Sequence, residues 1–102
     1  MRSAFDTPEK RTARGTRIRW AREIVEPSRN QFGRKLGVDQ TTLRDIENGS
    51  ASPGIELAHR LCHSLRISLD YIVDGTFFGV DRELAMRLVE RHPELQIGRA
   101  HV

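Results

Sequence analysis

The sequence contains one cysteine, Cys62, in 102 residues. An internal disulfide is therefore excluded, and the fold must rest on packing and hydrogen bonding. No apolar run is long enough to span a bilayer, and no apolar stretch of signal-peptide type opens the chain, so a cytoplasmic protein without a membrane partner is expected. There is no phosphate-binding loop, no Ser-His-Asp arrangement with supporting glycines and no carboxylate pair in an evident pocket; neither catalysis nor a cofactor is expected. Internal repeats and runs of alternating β-branched residues are also missing, which leaves an all-helical reading. The hydrophobic content of 37% suffices for one small domain with a modest core, and not for a large active-site cleft.

Charge is unevenly placed. Residues 1–24 hold seven Lys/Arg against three Asp/Glu, whereas residues 25–96 hold nine against eleven. The asymmetry favours a polyanion met by the amino-terminal part, and it also fits an ordinary solvated arm.

The most informative segment is FGRKLGVDQTTLRDIE, residues 32–47. It reads as two short amphipathic helices joined at Gly37, which supplies the left-handed conformation that ends the first, with Asp39 capping the second. At about 100° per residue, Thr42, Leu43 and Ile46 share one arc of the second helix, and Gln40, Thr41, Arg44 and Asn48 share the opposite one. The outward set suits base edges: Gln matches adenine bidentately, Arg matches guanine, and a Thr methyl meets thymine. Asp45 and Glu47 fall on the flanks. This is the layout of a reader of double-stranded DNA.

Elsewhere, residues 1–15 combine Pro8 and Gly15 with Arg2, Lys10, Arg11 and Arg14 and lack helical apolar spacing, which predicts a flexible basic arm. Lys10, Arg11, Arg14, Arg17 and Arg19 are candidates for phosphate contacts that add sequence-independent, salt-sensitive affinity. The first helix is expected over residues 17–26 behind a Thr16 cap, burying Ile18, Ala21 and Val25 and stopping before Pro27. Trp20 and Ile24 form a second apolar spot, covered either by later parts of the chain or by another subunit. Ser28 with Gln31 fits a capping box for the next helix, where Phe32, Gly33 and Leu36 face inward; Gly33 would permit close approach of the following helix. Ser52 and Pro53 are expected to open a helix burying Ile55, Ala58, Leu61, Cys62 and Leu65. Ser68 caps a short helix with Leu69, Ile72 and Val73, ended by Asp74-Gly75. After a linker over residues 76–80, Asp81 caps a last helix with a stripe of Leu84, Ala85, Leu88 and Val89. That helix either folds back on the domain or, the reading favoured here, pairs with a symmetry mate or another protein.

With these elements in order, IRWARE, SRNQFGRKLGV, DQTTLRDIENG, SPGIELAHRLCHSL and ISLDYIVDG make residues 16–75 resemble the Cro and lambdoid-repressor type of helix-turn-helix domain, the xenobiotic-response-element family of bacterial and phage regulators. The resemblance covers about sixty residues. It implies a five-helix lambda-repressor-like bundle, here with an amino-terminal arm and an additional carboxy-terminal helix. It also implies operator binding, usually as a homodimer on half-sites about one helical turn apart. Gln40, Thr41, Arg44 and Asp45 fall on the family's base-reading positions. Ser28 and Arg29 fall at the helix terminus that meets a phosphate, with Arg29 where the family commonly has Gln, and Asn48 is a further candidate for a backbone contact. Arg22 and Glu47 match a structural ion pair. Three departures stand out: Asp45 is acidic where a neutral or basic residue is usual, residues 50–54 carry no basic side chain, and Arg66 replaces a glycine.

The implied function is a sequence-specific transcriptional regulator, most simply a repressor that occludes a promoter. Two other readings stay open: an antitoxin-like interaction module, and the DNA-binding head of a longer regulator. His59, Cys62 and His63 have i, i+3, i+4 spacing, but with no fourth ligand in view a metal site is not expected. Residues 97–102, IGRAHV, match the translation of a common sequencing-library adapter, which leaves two readings open: protein sequence, or a translated artefact with the natural chain continuing past Gln96.

Overall fold

A computed structural model describes residues 7–95; the expectations for residues 1–6 and for the adapter-like tail lie outside them. The described residues form α1 (Pro8–Val25), α2 (Arg29–Leu36), α3 (Gln40–Glu47), α4 (Ile55–Leu65), α5 (Leu69–Asp74) and α6 (Arg82–Arg91), with no strand among them. The all-α, lambda-repressor-like class read from the sequence is the one observed.

α1 is the spine, packing against each of the other five helices. Ile18 and Ala21 are fully buried on it, whereas Val25, expected inside, is 47% exposed. The helix also begins a full two turns earlier than expected. Thr7 caps it by accepting from Lys10 N, and Pro8 sits in the first turn, where its missing N–H is no loss. Residues 8–15 are thus helix and not a flexible arm, and Thr16 lies mid-helix instead of capping. Gly15, counted with the flexible arm, marks the closest crossing: a Cβ there would lie 2.5 Å from the Glu47 carbonyl oxygen. Removing that one methyl lets α1 rest directly on the end of α3, which outweighs the roughly 1 kcal/mol helix-propensity cost of glycine.

Leu36, Leu43, Ile46, Leu61, Leu65, Ile67, Tyr71 and Ile72 complete the core around α1. Each buried aliphatic side chain contributes roughly 1.5–3 kcal/mol of transfer free energy. α4 starts late: Gly54 is its cap without a side-chain bond, Ser52 and Pro53 precede it, and Ile55 is 88% exposed. Ala58 and Cys62 are half-buried, not core, and burial pushes the Cys62 thiol pKa up. On α5 the inward residues are Tyr71 and Ile72, while Leu69 and Val73 face solvent at 55% exposure each. Ser68 does cap α5, accepting from Tyr71 N.

α6 folds onto its own domain. Leu84, Ala85 and Leu88 are buried, Val89 half-buried, and His92 at the helix end stacks on Trp20 with ring centroids 3.6 Å apart. The Trp20/Ile24 spot on α1 is therefore covered from within the chain, and the stripe expected to face a symmetry mate or another protein is used internally. The linker aids this closure: Phe77 stacks on Tyr71, and Asp81 N donates to Arg66 O.

Candidate nucleic-acid interface

The segment from α2 to α3 is built by short-range chemistry. Ser28 Oγ accepts from Gln31 N to open α2, Gly37 at φ 73° and ψ 34° closes it, and Asp39 accepts from Thr41 N to open α3 three residues later. The turn is tightened by Val38 N donating to Gly33 O at 2.8 Å. Gly33's close neighbour is thus this turn's own Val38 carbonyl, not the next helix. Arg60, reaching from α4, donates to Leu36 O at 2.6 Å and secures a carbonyl the helix end leaves open.

Leu43 and Ile46 anchor α3 at 0% and 2% exposure. Around the same helix Gln40, Thr41 and Arg44 are exposed, as is Thr42, expected to pack. Asp45 is half-buried with a carboxylate oxygen 3.6 Å from Arg44 Nη2. Asn48 caps the far end, its Oδ1 accepting from Ser50 N. The result is a helix held from behind and polar in front.

What holds it from behind is an ion cluster at the meeting of three helices. Arg22 Nε donates to Glu47 Oε2 at 2.6 Å, with both side chains at most 3% exposed, and Arg22 Nη1 donates to the carbonyls of Glu26 and Pro27. Arg29 Nε donates to the other Glu47 oxygen at 3.0 Å. Hence Arg29, expected at a phosphate, has one face of its guanidinium engaged with α3. Ser28 beside it is half-buried, its N–H donating to a Glu26 carboxylate oxygen. That bond and Lys35 hold the Glu26 pKa below the usual carboxylate range.

The expected basic contacts divide. Arg17, expected at a phosphate, is engaged within the domain through one nitrogen: its Nη1 donates to Ile72 O and Val73 O, both at 2.9 Å, satisfying the end of α5, and burial lowers its pKa. Tyr71 returns the tie through its hydroxyl to Arg17 O. Arg19 lies 4.0 Å from Glu23. Arg14 reaches the loop after α3, donating to Ser52 Oγ at 3.3 Å. Arg60 at Leu36 and Arg14 at Ser52 are pairings 24 and 38 residues apart, for which no local sequence signal exists. His59 and His63 are exposed, and among the described residues no group of three His, Cys, Asp or Glu side chains could hold a metal. Among the same residues no helix is long and apolar enough to cross a membrane.

Two helices meeting across a glycine turn, the second buried behind and polar in front, define a helix-turn-helix protein. A helix-turn-helix family model matches residues 18–72, more than half of the chain, which belongs to the Cro/C1-type helix-turn-helix family of DNA-binding transcription regulators. No curated protein and no solved structure matched.

Proposed function

We propose that this chain is a sequence-specific regulator that places α3 in the major groove and represses by occluding a promoter. The observation that carries the reading is the split of α3: Leu43 and Ile46 are buried while Gln40, Thr41 and Arg44 stand in solvent on the same eight-residue helix. In this reading Gln40 and Arg44 hydrogen-bond purine edges, Thr41 offers its methyl to thymine, and Asp45 accepts from a cytosine amino group. Ser28, Asn48 and the outer face of Arg29 meet the sugar-phosphate backbone and set register. The role is one of binding and not of catalysis, inside the cytoplasm.

A homodimer on a two-fold site belongs to the same proposal. With the stripe of α6 covered inside the domain, Leu69 and Val73, one turn apart and exposed on α5, offer an apolar contact between copies. Selection from a random duplex library, followed by sequencing, tests this directly by recovering a motif and its symmetry. Gln40→Ala and Arg44→Ala are each expected to weaken the selected duplex by about 1–3 kcal/mol with circular dichroism unchanged. Equal binding by wild type and both variants would refute the base-reading assignments.

A further inference from the structure

Two adjoining cavities open where α4 ends. The first, about 490 Å³, lies between the end of α1, the end of α4 and the start of α6, and Ile24, Val25, Leu65 and Leu84 give it an apolar wall. The second, about 720 Å³, shares Ser64, Arg66 and Asp81 with it. Volumes of roughly 300–1,000 Å³ are those of small-molecule sites. Val25, whose spacing placed it in the core, stays 47% exposed on this wall, so the cavity keeps apolar surface that no described residue covers.

Arg66 lines both cavities and, among the described residues, is the one non-glycine at positive φ. A glycine at φ 60° would be unstrained, so the arginine side chain is carried here at a cost in stability. The fold does not use that side chain. Its Nη1 lies 3.8 Å from an Asp81 carboxylate oxygen, beyond hydrogen-bond length, and among the described residues the guanidinium makes no hydrogen bond. The Ser64 hydroxyl, one turn back, is likewise unpartnered among them. The carboxylates lining the same groove are engaged: Asp81 caps α6 by accepting from Leu84 N, and Glu83 accepts from Arg87 Nη2 at 3.0 Å. What stands open beside the apolar wall is therefore mainly donor capacity bearing positive charge, which complements an anion and not a cation.

We infer that this groove binds a small organic anion: its carboxylate or sulfonate is held by Arg66 with Ser64, and its apolar body lies along Ile24, Val25, Leu65 and Leu84. The planar guanidinium presents paired N–H donors that such a group meets with two oxygens. A ligand so placed touches α1, α4 and α6 together and stabilises the closure of α6 on the domain. The site uses no residue of α2 or α3, so the inference stands apart from the proposed reading of DNA.

The test titrates the full chain with anilinonaphthalenesulfonate, read by its fluorescence, and with phenylnaphthylamine, which has the same aromatic body and no charge. Wild type is expected to take up one sulfonate per chain and to bind the uncharged probe at least about tenfold more weakly. Arg66→Gly, which folds at least as stably, should lose about tenfold in affinity for the sulfonate and nothing for the uncharged probe. Val25→Ser, at an exposed position, should weaken both probes. Saturating sulfonate should raise the unfolding midpoint of wild type and leave that of Arg66→Gly in place. Equal affinity of wild type for the two probes overturns the inference, and so does wild-type affinity for the sulfonate in Arg66→Gly. Unchanged binding of both probes by Val25→Ser, or a wild type that binds neither, overturns it as well.

Discussion

Neutralising Glu47 is the sharpest perturbation available to the ion cluster behind α3. The carboxylate is 2% exposed and takes Arg22 at 2.6 Å and Arg29 at 3.0 Å. In Glu47→Gln, Arg29 at 30% exposure can turn to water, but Arg22 at 3% cannot. Stranding a buried charge costs about 3–5 kcal/mol. Arg22 keeps the carbonyls of Glu26 and Pro27, which places the expected loss near the lower figure, about 3 kcal/mol. For a domain of this size that is a large share of a stability of about 5–15 kcal/mol, and it corresponds to a midpoint lowered by roughly 12–24 °C. Urea unfolding followed by Trp20 fluorescence and circular dichroism reads it. Glu83→Gln, which breaks the exposed pair with Arg87, serves as the control and should change stability by less than about 0.5 kcal/mol. An Arg22→Met, Glu47→Leu double variant should recover most of the loss, since neither charge is then left buried. A Glu47→Gln variant no less stable than the Glu83→Gln control would refute the claim that desolvation, and not the pair's mere presence, makes this cluster matter.

Two further outcomes follow from single positions. Arg66 ends α4 at φ 60° and ψ 42°, the left-handed region, and its 3.8 Å pair with Asp81 is exposed; Arg66→Gly should therefore stabilise by about 0.5–1 kcal/mol, read as a higher unfolding midpoint. Burial raises the Tyr71 pKa above its ordinary value of 10.0, so the folded state keeps the phenol neutral after the unfolded chain has begun to ionise. Stability from this group is complete below about pH 10 and declines above it, by at most about 1.4 kcal/mol per pH unit. Tyr71→Phe should lose the bond to Arg17 O, about 1 kcal/mol, and show a flatter alkaline decline than wild type in denaturant titrations at stepped pH.

Local chemistry alone determined the helix-turn-helix. Ser28, Gly37 and Asp39 each act on backbone groups within four residues, and the 3.6-residue period separates Leu43 and Ile46 from Gln40 and Arg44 whatever surrounds them. Arg22 and Glu47 were legible only through the family resemblance, because a pair 25 residues apart has no local signature.

Tertiary structure decided the rest. Gly15 and Pro8 fell in a segment without helical apolar spacing, yet the crossing with α3 needs a residue without a side chain, and Thr7 with Pro8 makes a good helix start. The same packing turned a presumed arm into the first half of the spine. Arg17 looked like one more surface cation until α5 placed two open carbonyls beside it. Apolar spacing could not tell whether α6 would cover Trp20 and Ile24 or meet a second copy, because an amphipathic face specifies that something apolar must cover it and not what. That choice was made where the linker returns Asp81 to Arg66 and brings His92 onto Trp20, in contacts that exist only once the chain has closed on itself.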